Sequence, residues 1–367
     1  MRRVGRALRL AGAALLLGGC ASVADDADSA WRPGYLWQSV RGHLGMLQAA
    51  RPVDAVLADP ATGPALRQRL ELGRTLRDYA SQALALPDNA SYRRYADLGR
   101  PAAVWNVVAA PELSLALKTW CFPVVGCVGY RGYFAREEAE MVARVLRERG
   151  WEVHVYGVPA YSTLGKLPGA WFADPLLNTF LRHSDVELAR LIFHELAHQV
   201  AYADHDTMFN ESYATAVERL GSRQWLAQSG RADLIAETET LDRRREEFRA
   251  LTMRWRERLD ALYRSAADDA TKRRDKAALY AAMRAEYARW RDQSWGGDRA
   301  YDAWFEGANN ARLGVLAAYN AQVPAFERLF EQAGRDWPRF HAEVRRLAAL
   351  PKAERDAALG AFTSATR

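Results

Sequence analysis

The chain has 367 residues, 49% hydrophobic and 26% charged, which excludes an intrinsically disordered protein and suits a globular one. This length allows one large catalytic domain with appended helices or two smaller domains. The formal net charge is +6, but four arginines before residue 10 leave only +2 for the rest, so the basicity does not indicate a nucleic-acid partner.

The N-terminus has the features of an export signal. Four arginines precede the apolar run at residues 11–17, and small residues follow it. The run is too short to span a bilayer, so we predict a signal peptide over residues 1–19. The small residues end at Cys20 in a pattern that resembles a bacterial lipobox, which implies a lipid anchor on Cys20. Because no Asp follows at the second position, resemblance to sorted lipoproteins implies the outer membrane, facing the periplasm. The alternative is a plain secretory signal with an incidental cysteine.

Two further cysteines, Cys121 and Cys127, remain as a pair. Since an exported compartment is oxidising, we predict a disulfide between them. The competing interpretation is a metal-binding pair, but two thiolates separated by five residues with no nearby His make a poor zinc site.

The pattern of apolar residues predicts a helix-rich α+β fold. Helical periodicity from about 30 to 86 indicates two or three packed helices, and Gly150 ends a helix that starts at Glu137. Clusters of β-branched and aromatic residues predict short strands at 104–108, around 121–134, and at 151–161.

Two consecutive helices are predicted near the middle of the chain. Ser184 and Glu187 form a capping box for a helix that should reach about residue 203. Asp206 or Thr207 can cap the next helix, which should continue to about residue 227.

Beyond Gly230, apolar residues at helical spacing alternate with dense charge, which predicts a long helical hairpin joined at residues 268–274. Further helices are expected at about 308–320 and 337–347. We therefore predict a catalytic region with N-terminal helices over 20–230 and a helical C-terminal region over 231–367.

The segment 194–198 reads His-Glu-Leu-Ala-His. His194 and His198 lie on one face of a helix and can present ring nitrogens to one cation, while Glu195 lies beside the position of a metal-bound water. Two histidines and a carboxylate in an otherwise apolar helix would be costly without a partner such as zinc. This pattern predicts zinc-assisted hydrolysis, with Glu195 as general base.

A catalytic zinc site needs a third protein ligand and leaves the fourth position to water. Glu211 begins the next helix, and an antiparallel return would bring it to His194 and His198. The alternative for Glu211 is a charge that favours the first turn of that helix. His205 is a rival ligand, in the turn between the helices. The set resembles the gluzincin arrangement of thermolysin-like peptidases, with a shorter interval before the glutamate.

A more specific resemblance rests on longer segments: WCFPVVGC at 120–127, YRGYF at 130–134, YSTLG at 161–165, DPLLNT at 174–179 and FNES at 209–212. They are similar to a family of bacterial lipoproteins called predicted aminopeptidases, and the resemblance spans most of the chain after the signal. It implies a zincin-like zinc peptidase.

Other candidate residues have weaker support. By resemblance to gluzincins, residues 160–165, with Tyr161, Ser162 and Thr163, would form an edge strand that pairs with substrate; an internal strand is equally compatible. Thr215 and Glu218 could orient a ligand histidine, or Glu218 could simply be exposed.

Two more groups of polar residues have open roles. The oxyanion of the transition state needs a donor, for which the candidates are Tyr130, Arg131, Tyr161 and Tyr319. The run at 309–312 either caps a helix or lines the cleft.

The sequence therefore predicts a zinc-dependent peptidase, an aminopeptidase by family resemblance, with a peptide substrate, a lipid anchor and no nucleic-acid partner. No residue identifies itself as the carboxylate that an aminopeptidase needs for the substrate amine, so an endopeptidase stays open. A periplasmic binding or assembly lipoprotein, with zinc only stabilising the fold, is the alternative outside the enzymes.

Overall fold

The computed structural model describes residues 33–122, 126–163, 169–316 and 322–364. The predicted signal peptide and Cys20 lie outside this part of the chain. The fold is helix-rich α+β with small sheets. None of the helices in the described ranges combines the length and the apolar character needed to cross a bilayer.

The N-terminal part holds three helices, as the periodicity predicted. They are α1 (Pro33–Ala49), α2 (Val53–Ala58) and α3 (Pro64–Gln82). Strand β1 (Arg51–Pro52) pairs antiparallel with β2 (Arg94–Ala96), which pairs parallel with β8 (Leu176–Leu177). Leu70 and Leu76 of α3 are fully buried in the main hydrophobic core.

A second sheet has the strand order β6-β3-β7, with both pairings antiparallel. Its strands are β3 (Val104–Pro111), β6 (Arg131–Tyr133) and β7 (Trp151–Val158). The amphipathic helix α4 (Arg136–Glu148) buries Val142 and Leu146 against it. Gly150, at φ +81°, follows α4 in a backbone conformation that glycine adopts without strain, as the sequence indicated.

A small hairpin of β4 (Trp120–Phe122) and β5 (Gly126–Val128) places Cys121 directly opposite Cys127. A disulfide joins the two cysteines. The predicted edge strand at 160–165 is absent over residues 160–163, since β7 ends at Val158, and residues 164–165 lie outside the described ranges. Pro159 has no N–H for a strand ladder, and the side chain of Asp174 takes the N–H of Thr163 instead.

The short helix α5 (Asn178–Leu181) is followed by helix α6 (Asp185–His198). Ser184 is its N-cap, and the hydroxyl of Ser184 accepts from the backbone N–H of Glu187. It ends five residues before the predicted end at 203, because Asn210 binds both backbone groups of Ala203 and holds the turn: its side chain accepts from the N–H at 2.7 Å and donates to the carbonyl at 2.8 Å. Helix α7 (Thr207–Gln228) is capped by Asp206, as predicted.

Helices α8 (Leu234–Arg264) and α9 (Asp269–Gln293) form the long hairpin. Contacts from Arg244 to Asp298, from Trp255 to Glu286 and from Tyr263 across to Tyr280 through Asn310 show that the two helices are antiparallel. The predicted junction at 268–274 was wrong. The turn occupies 265–268, and Asp268 accepts from the N–H of Thr271 at 2.8 Å, so the charged residues that follow belong to α9.

The remaining helices are α10 (Asp302–Glu306), α11 (Asn310–Leu316), α12 (Val323–Gln332), α13 (Trp337–Ala348) and α14 (Lys352–Ser364). Apolar residues of α12, α13 and α14 pack in the same core as α6 and α7, whereas the hairpin has its own aromatic core. The main core therefore includes apolar residues from both sides of residue 230.

Candidate metal and catalytic site

Three potential metal ligands converge where α6 ends and α7 begins. His194 Nε2 and His198 Nε2 lie 3.2 Å apart. Glu211 Oε2 lies 3.3 Å from His194 Nε2, and Glu211 Oε1 lies 3.7 Å from His198 Nε2. In the described part of the chain, these three residues form the group of His, Cys, Asp and Glu side chains that could hold a metal ion. His205, the rival ligand, is exposed in the turn and lies outside the group.

The spacing of the ligand atoms suits zinc. Tetrahedral zinc with bonds of about 2.0–2.1 Å separates neighbouring ligand atoms by about 3.4 Å. The distances of 3.2 Å from His194 Nε2 to His198 Nε2 and 3.3 Å from His194 Nε2 to Glu211 Oε2 are close to this value, and His198 Nε2 lies 3.7 Å from the other oxygen, Oε1. The nitrogens and carboxylate oxygens are also the donors that zinc prefers, so the residues present fit the ion that the sequence implied.

Glu218 fixes the ring of His194. Its carboxylate lies 2.9 Å from His194 Nδ1 and accepts the hydrogen there, which leaves Nε2, on the side of Glu211 and His198, as the atom that would meet a metal ion. A carboxylate behind a ligand histidine is a common way to orient the ring and raise its basicity. Thr215 is buried one turn earlier on the same helix.

Burial governs the charges in the cluster. Burial and the neighbouring His194 lower the pKa of His198 to about 4, so this ring is neutral at neutral pH and can act as a ligand. Burial also opposes a charge on His194, but Glu211 and Glu218 outweigh it and raise the pKa of His194 well above its usual value. Burial alone would raise the pKa of Glu211. The hydrogen bond and the charge of His194 together lower it by more, so the net shift is downward.

Glu195 lines the cleft beside the cluster and is half-buried. Burial raises the pKa of its carboxyl to about 7, and the negative charges of Glu211 and Asp174 add to the effect. A carboxyl with a pKa near neutral can both accept and release a proton at neutral pH.

A cleft of about 970 Å³ opens in front of these residues, between α6 and the β6-β3-β7 sheet. Its other walls are rich in aromatic rings, which are those of Tyr35, Phe122, Tyr130, Phe134, Tyr156 and Tyr161. Of the candidate oxyanion donors, Tyr130 and Tyr161 line the cleft. Arg131 does not, because it is fully buried 4.1 Å from the ring centroid of Tyr35, and Tyr319 lies outside the described residues.

Residues 159–162 line the cleft next to Glu195, and the buried side chain of Asp174 holds this segment from outside the lining. Asp174 accepts hydrogen bonds from Ser162 Oγ at 2.9 Å and from Thr163 N and Oγ1 at 3.0 Å each, and Ser162 also hydrogen-bonds Glu195. Burial raises the pKa of Asp174, and these bonds limit the rise. No local pattern predicted that Asp174 binds this segment, because its partners Ser162 and Thr163 lie 12 and 11 residues earlier in the chain.

Two further polar features lie outside the cluster: Tyr202, which the sequence analysis did not identify, and the run 309–312, whose role it left undecided. Tyr202, in the turn after α6, lies with its ring 6.3 Å from that of His198 and is 41% exposed. The 309–312 run does not line the cleft: Asn309 Oδ1 caps α11 through the N–H of Arg312 at 2.9 Å.

The chain matches a known protein family over most of its length. A family model described as Putative aminopeptidase matches residues 34–359, which cover all but the first residue of α1 and the end of α14. No curated protein and no solved structure matches the chain.

Proposed function

Because the chain belongs to the family described as Putative aminopeptidase, we propose that it hydrolyses peptide bonds with a zinc-activated water. His194, His198 and Glu211 hold the ion in this proposal, and a zincin-like arrangement of α6 and α7 presents them. The observation that carries the proposal is the convergence of two Nε2 atoms and a carboxylate at the spacing of a tetrahedral zinc.

The protein residues around the ion have distinct roles. Zinc, when bound, polarises the scissile carbonyl and makes its water more acidic. Glu195 accepts the proton of the attacking water and returns it to the leaving amine, which its pKa of about 7 suits. Burial and its neighbours raise the pKa of Tyr130 to about 12, so its hydroxyl keeps its hydrogen and can donate to the developing oxyanion.

The walls of the cleft favour bulky apolar side chains next to the scissile bond. Six aromatic rings line it, and the cationic residues in its lining, Arg190 and Arg245, are both paired with acidic side chains. A substrate with aromatic or large aliphatic residues would therefore bury apolar area against these rings without leaving a charge unpaired.

An endopeptidase is a second candidate because of the carboxylates in the cleft. In the described part of its lining these are Glu187, Glu195, Glu211 and Glu218. Glu187 pairs with Arg245 at 3.2 Å, Glu218 with His194, and the other two serve as base and ligand. An aminopeptidase needs a carboxylate for the free amine of its substrate, and each of these already has a partner or a role.

The cellular setting is also a proposal. The export signal at 1–19 and the lipobox-like Cys20 support a lipoprotein at the outer membrane that faces the periplasm. Replacing Cys20 with Ser should move the protein from the membrane fraction to the soluble periplasmic fraction, and retention in the membrane would exclude the anchor.

The test of the activity combines metal analysis with a peptide library offered with free and with acetylated N-termini. We expect one bound zinc, cleavage beside aromatic or large aliphatic residues, and loss of turnover by about 10²-fold or more in Glu195→Gln with zinc retained. Glu246→Gln, an exposed glutamate paired with Arg219, is the matched control. Full activity of Glu195→Gln would exclude the mechanism, and bound zinc without any cleavage would favour the binding lipoprotein. Loss of cleavage on acetylation identifies an aminopeptidase; equal cleavage identifies an endopeptidase.

A further inference from the structure

Helix α1 packs one face against the protein and exposes the other. On the inner face, a Cβ added to Gly42 would overlap the ring of Phe134, so the two elements are in close contact there. The outer face carries Leu36, Trp37 and Val40, which are 37%, 67% and 50% exposed. Because residues one and four apart lie on neighbouring positions of a helix, these side chains form one apolar surface.

This outer face differs from the rest of the protein surface. Eight large apolar or aromatic side chains are exposed in the described part of the chain, and three of them are these neighbours. Single exposed apolar residues are common, whereas a contiguous group indicates a surface that something covers. The 17 residues of α1 also include no Asp or Glu, so the helix has no carboxylate that would oppose contact with an anionic surface.

The size of the outer face limits what can cover it. At these exposed fractions, the three side chains offer on the order of 300 Å². A stable interface between two proteins needs about 800 Å² on each partner, so this face is too small to hold a dimer by itself. A lipid surface needs less, because a few inserted apolar side chains suffice once the protein is already held at the membrane.

The sequence before α1 supports a lipid surface. Residues 21–32 separate Cys20 from Pro33, and these 12 residues reach about 40 Å at most. A lipid on Cys20 would therefore keep α1 within this distance of the bilayer, where even a weak attraction is enough to dock it. Tryptophan, the most exposed of the three side chains, is also enriched at membrane–water interfaces.

We propose that the outer face of α1, formed by Leu36, Trp37 and Val40, docks on the membrane and inserts these side chains among the lipid headgroups. This inference rests on the lipid anchor proposed at Cys20 and is independent of peptide hydrolysis. Leu36 also lines the cleft, together with Tyr35 and Ser39 of the same helix. Docking therefore holds one end of the cleft next to the membrane.

The test measures how the full-length Cys20→Ser chain partitions onto sedimented vesicles of phosphatidylethanolamine with about a quarter of phosphatidylglycerol. This chain has no lipid, so its binding is weak and reports the protein surface. Adding Trp37→Ser and Val40→Ser should lower the partition coefficient about tenfold or more, because their apolar area no longer leaves water. Both chains carry the same residues 1–32, so binding by those residues does not enter the difference. Equal partitioning of the two chains would overturn the inference.

The matched control is Leu241→Ser in the same background. Leu241 is an exposed apolar residue of α8, 40% exposed, so the substitution removes a similar side chain from another helix. We expect its partition coefficient to stay within about twofold of that of the parent chain. A loss as large as that of the double variant would show that any exposed apolar residue contributes and would overturn the inference. Thermal melting of each chain confirms that it is folded.

A second measurement distinguishes the membrane from other occupants of this face. Gln48 is exposed two turns after Val40 on the same side of α1, and a Gln48→Cys label in the Cys20→Ser chain leaves the three apolar side chains intact. Vesicles with a nitroxide on their headgroups should quench the label, and unchanged fluorescence would overturn the inference. A label that iodide cannot reach without vesicles would assign the face to residues 21–32 and would overturn it as well.

The mass of the Cys20→Ser chain in solution tests the remaining occupant, a second copy. Sedimentation equilibrium without vesicles should give a monomer. A dimer that Trp37→Ser and Val40→Ser dissociate would assign the face to a second copy and overturn the inference. None of these measurements uses cleavage, so a chain that binds vesicles but hydrolyses no peptide would defeat the proposed function and leave the docking surface in place.

Discussion

The helix pair α6–α7 and the hairpin α8–α9 are both antiparallel, yet they place polar residues in opposite ways. The pair α6–α7 buries six polar or charged residues, which are Arg190, His198, Asn210, Ser212, Thr215 and Ser222. The buried polar residues of the hairpin are two threonines, and both donate their hydroxyl hydrogen to a carbonyl of their own helix.

This difference separates a functional region from a scaffold. Burying polar groups costs free energy unless they are paired, as Arg190 is with Asp242 and Asn210 is with the backbone of Ala203, so a buried polar group without a partner indicates a functional region. His198 shows this most clearly, since its Nδ1 is buried without a partner in the described part of the chain. The hairpin instead keeps its charges at the surface and stabilises itself through an aromatic core.

The largest effect is expected for His198→Ala. The variant should bind no zinc and should have turnover at or below that of Glu195→Gln, because a ligand is missing. In the wild type, zinc should raise the melting temperature through binding to the folded state alone. His198→Ala should lose this rise while its metal-free melting temperature stays the same or increases, since an unpaired buried nitrogen is removed. A zinc-dependent rise that persists would contradict the assignment of His198 as a ligand.

The next effect is that of Glu218→Gln. The amide cannot supply the charge that holds the Nδ1 hydrogen of His194, so zinc affinity should fall about 10–100-fold, with turnover recovering at high zinc concentration. Competition with a chelator measures the affinity, and Glu246→Gln again serves as the control. An unchanged affinity would mean that Glu218 is only a charged residue of the helix face.

Features of the site could be predicted from the sequence when the residues that form them lie close together along the chain. The i, i+4 spacing placed His194 and His198 on one face, and a short turn makes the return to Glu211 almost unavoidable. Capping residues likewise marked the starts of α6 and α7. These features need only local geometry and one tight connection.

The opposite wall of the cleft could not be predicted in this way. Tyr130 and Tyr156 come from separate parts of the sheet region. Asp174 binds Ser162, which lies 12 residues earlier in the chain. Which residues face one another there depends on strand order and register, which no short motif encodes. The wrong junction of the hairpin has a local cause: a charge-dense segment looks like a loop, although Asp268 caps a helix there.

A substitution near the turn of the hairpin should reduce stability and leave the chemistry intact. Asn310 accepts from the hydroxyls of Tyr263 and Tyr280 and donates to the carbonyls of Pro111 and Glu112, so it joins both hairpin helices to the end of β3. Asn310→Ala should lower the free energy of unfolding by about 3 kcal/mol, because several buried groups lose their partner.

Asn309→Ala is the control for that measurement. It removes only the cap of α11 and a bond to the carbonyl of Val153, so it should cost about 1 kcal/mol. Denaturant unfolding gives both values, and kcat and KM of the folded fraction should match the wild type. A fall in kcat for Asn310→Ala would mean that the hairpin takes part in shaping the cleft.

The smallest effect is expected at the surface of the last turn of α8, where Arg264 pairs with Asp260 at 2.7 Å. Arg264 is 80% exposed, so solvent screens the pair and ordering two long side chains offsets most of the attraction. Arg264→Ala should therefore change the free energy of unfolding by less than about 0.5 kcal/mol, with the same unfolding midpoint at low and high salt. A larger, salt-dependent loss would show that the surface charges of the hairpin stabilise it as a network. In that case charged residues would stabilise both regions, and the two would differ only in that α6–α7 buries its polar groups while the hairpin exposes its charges.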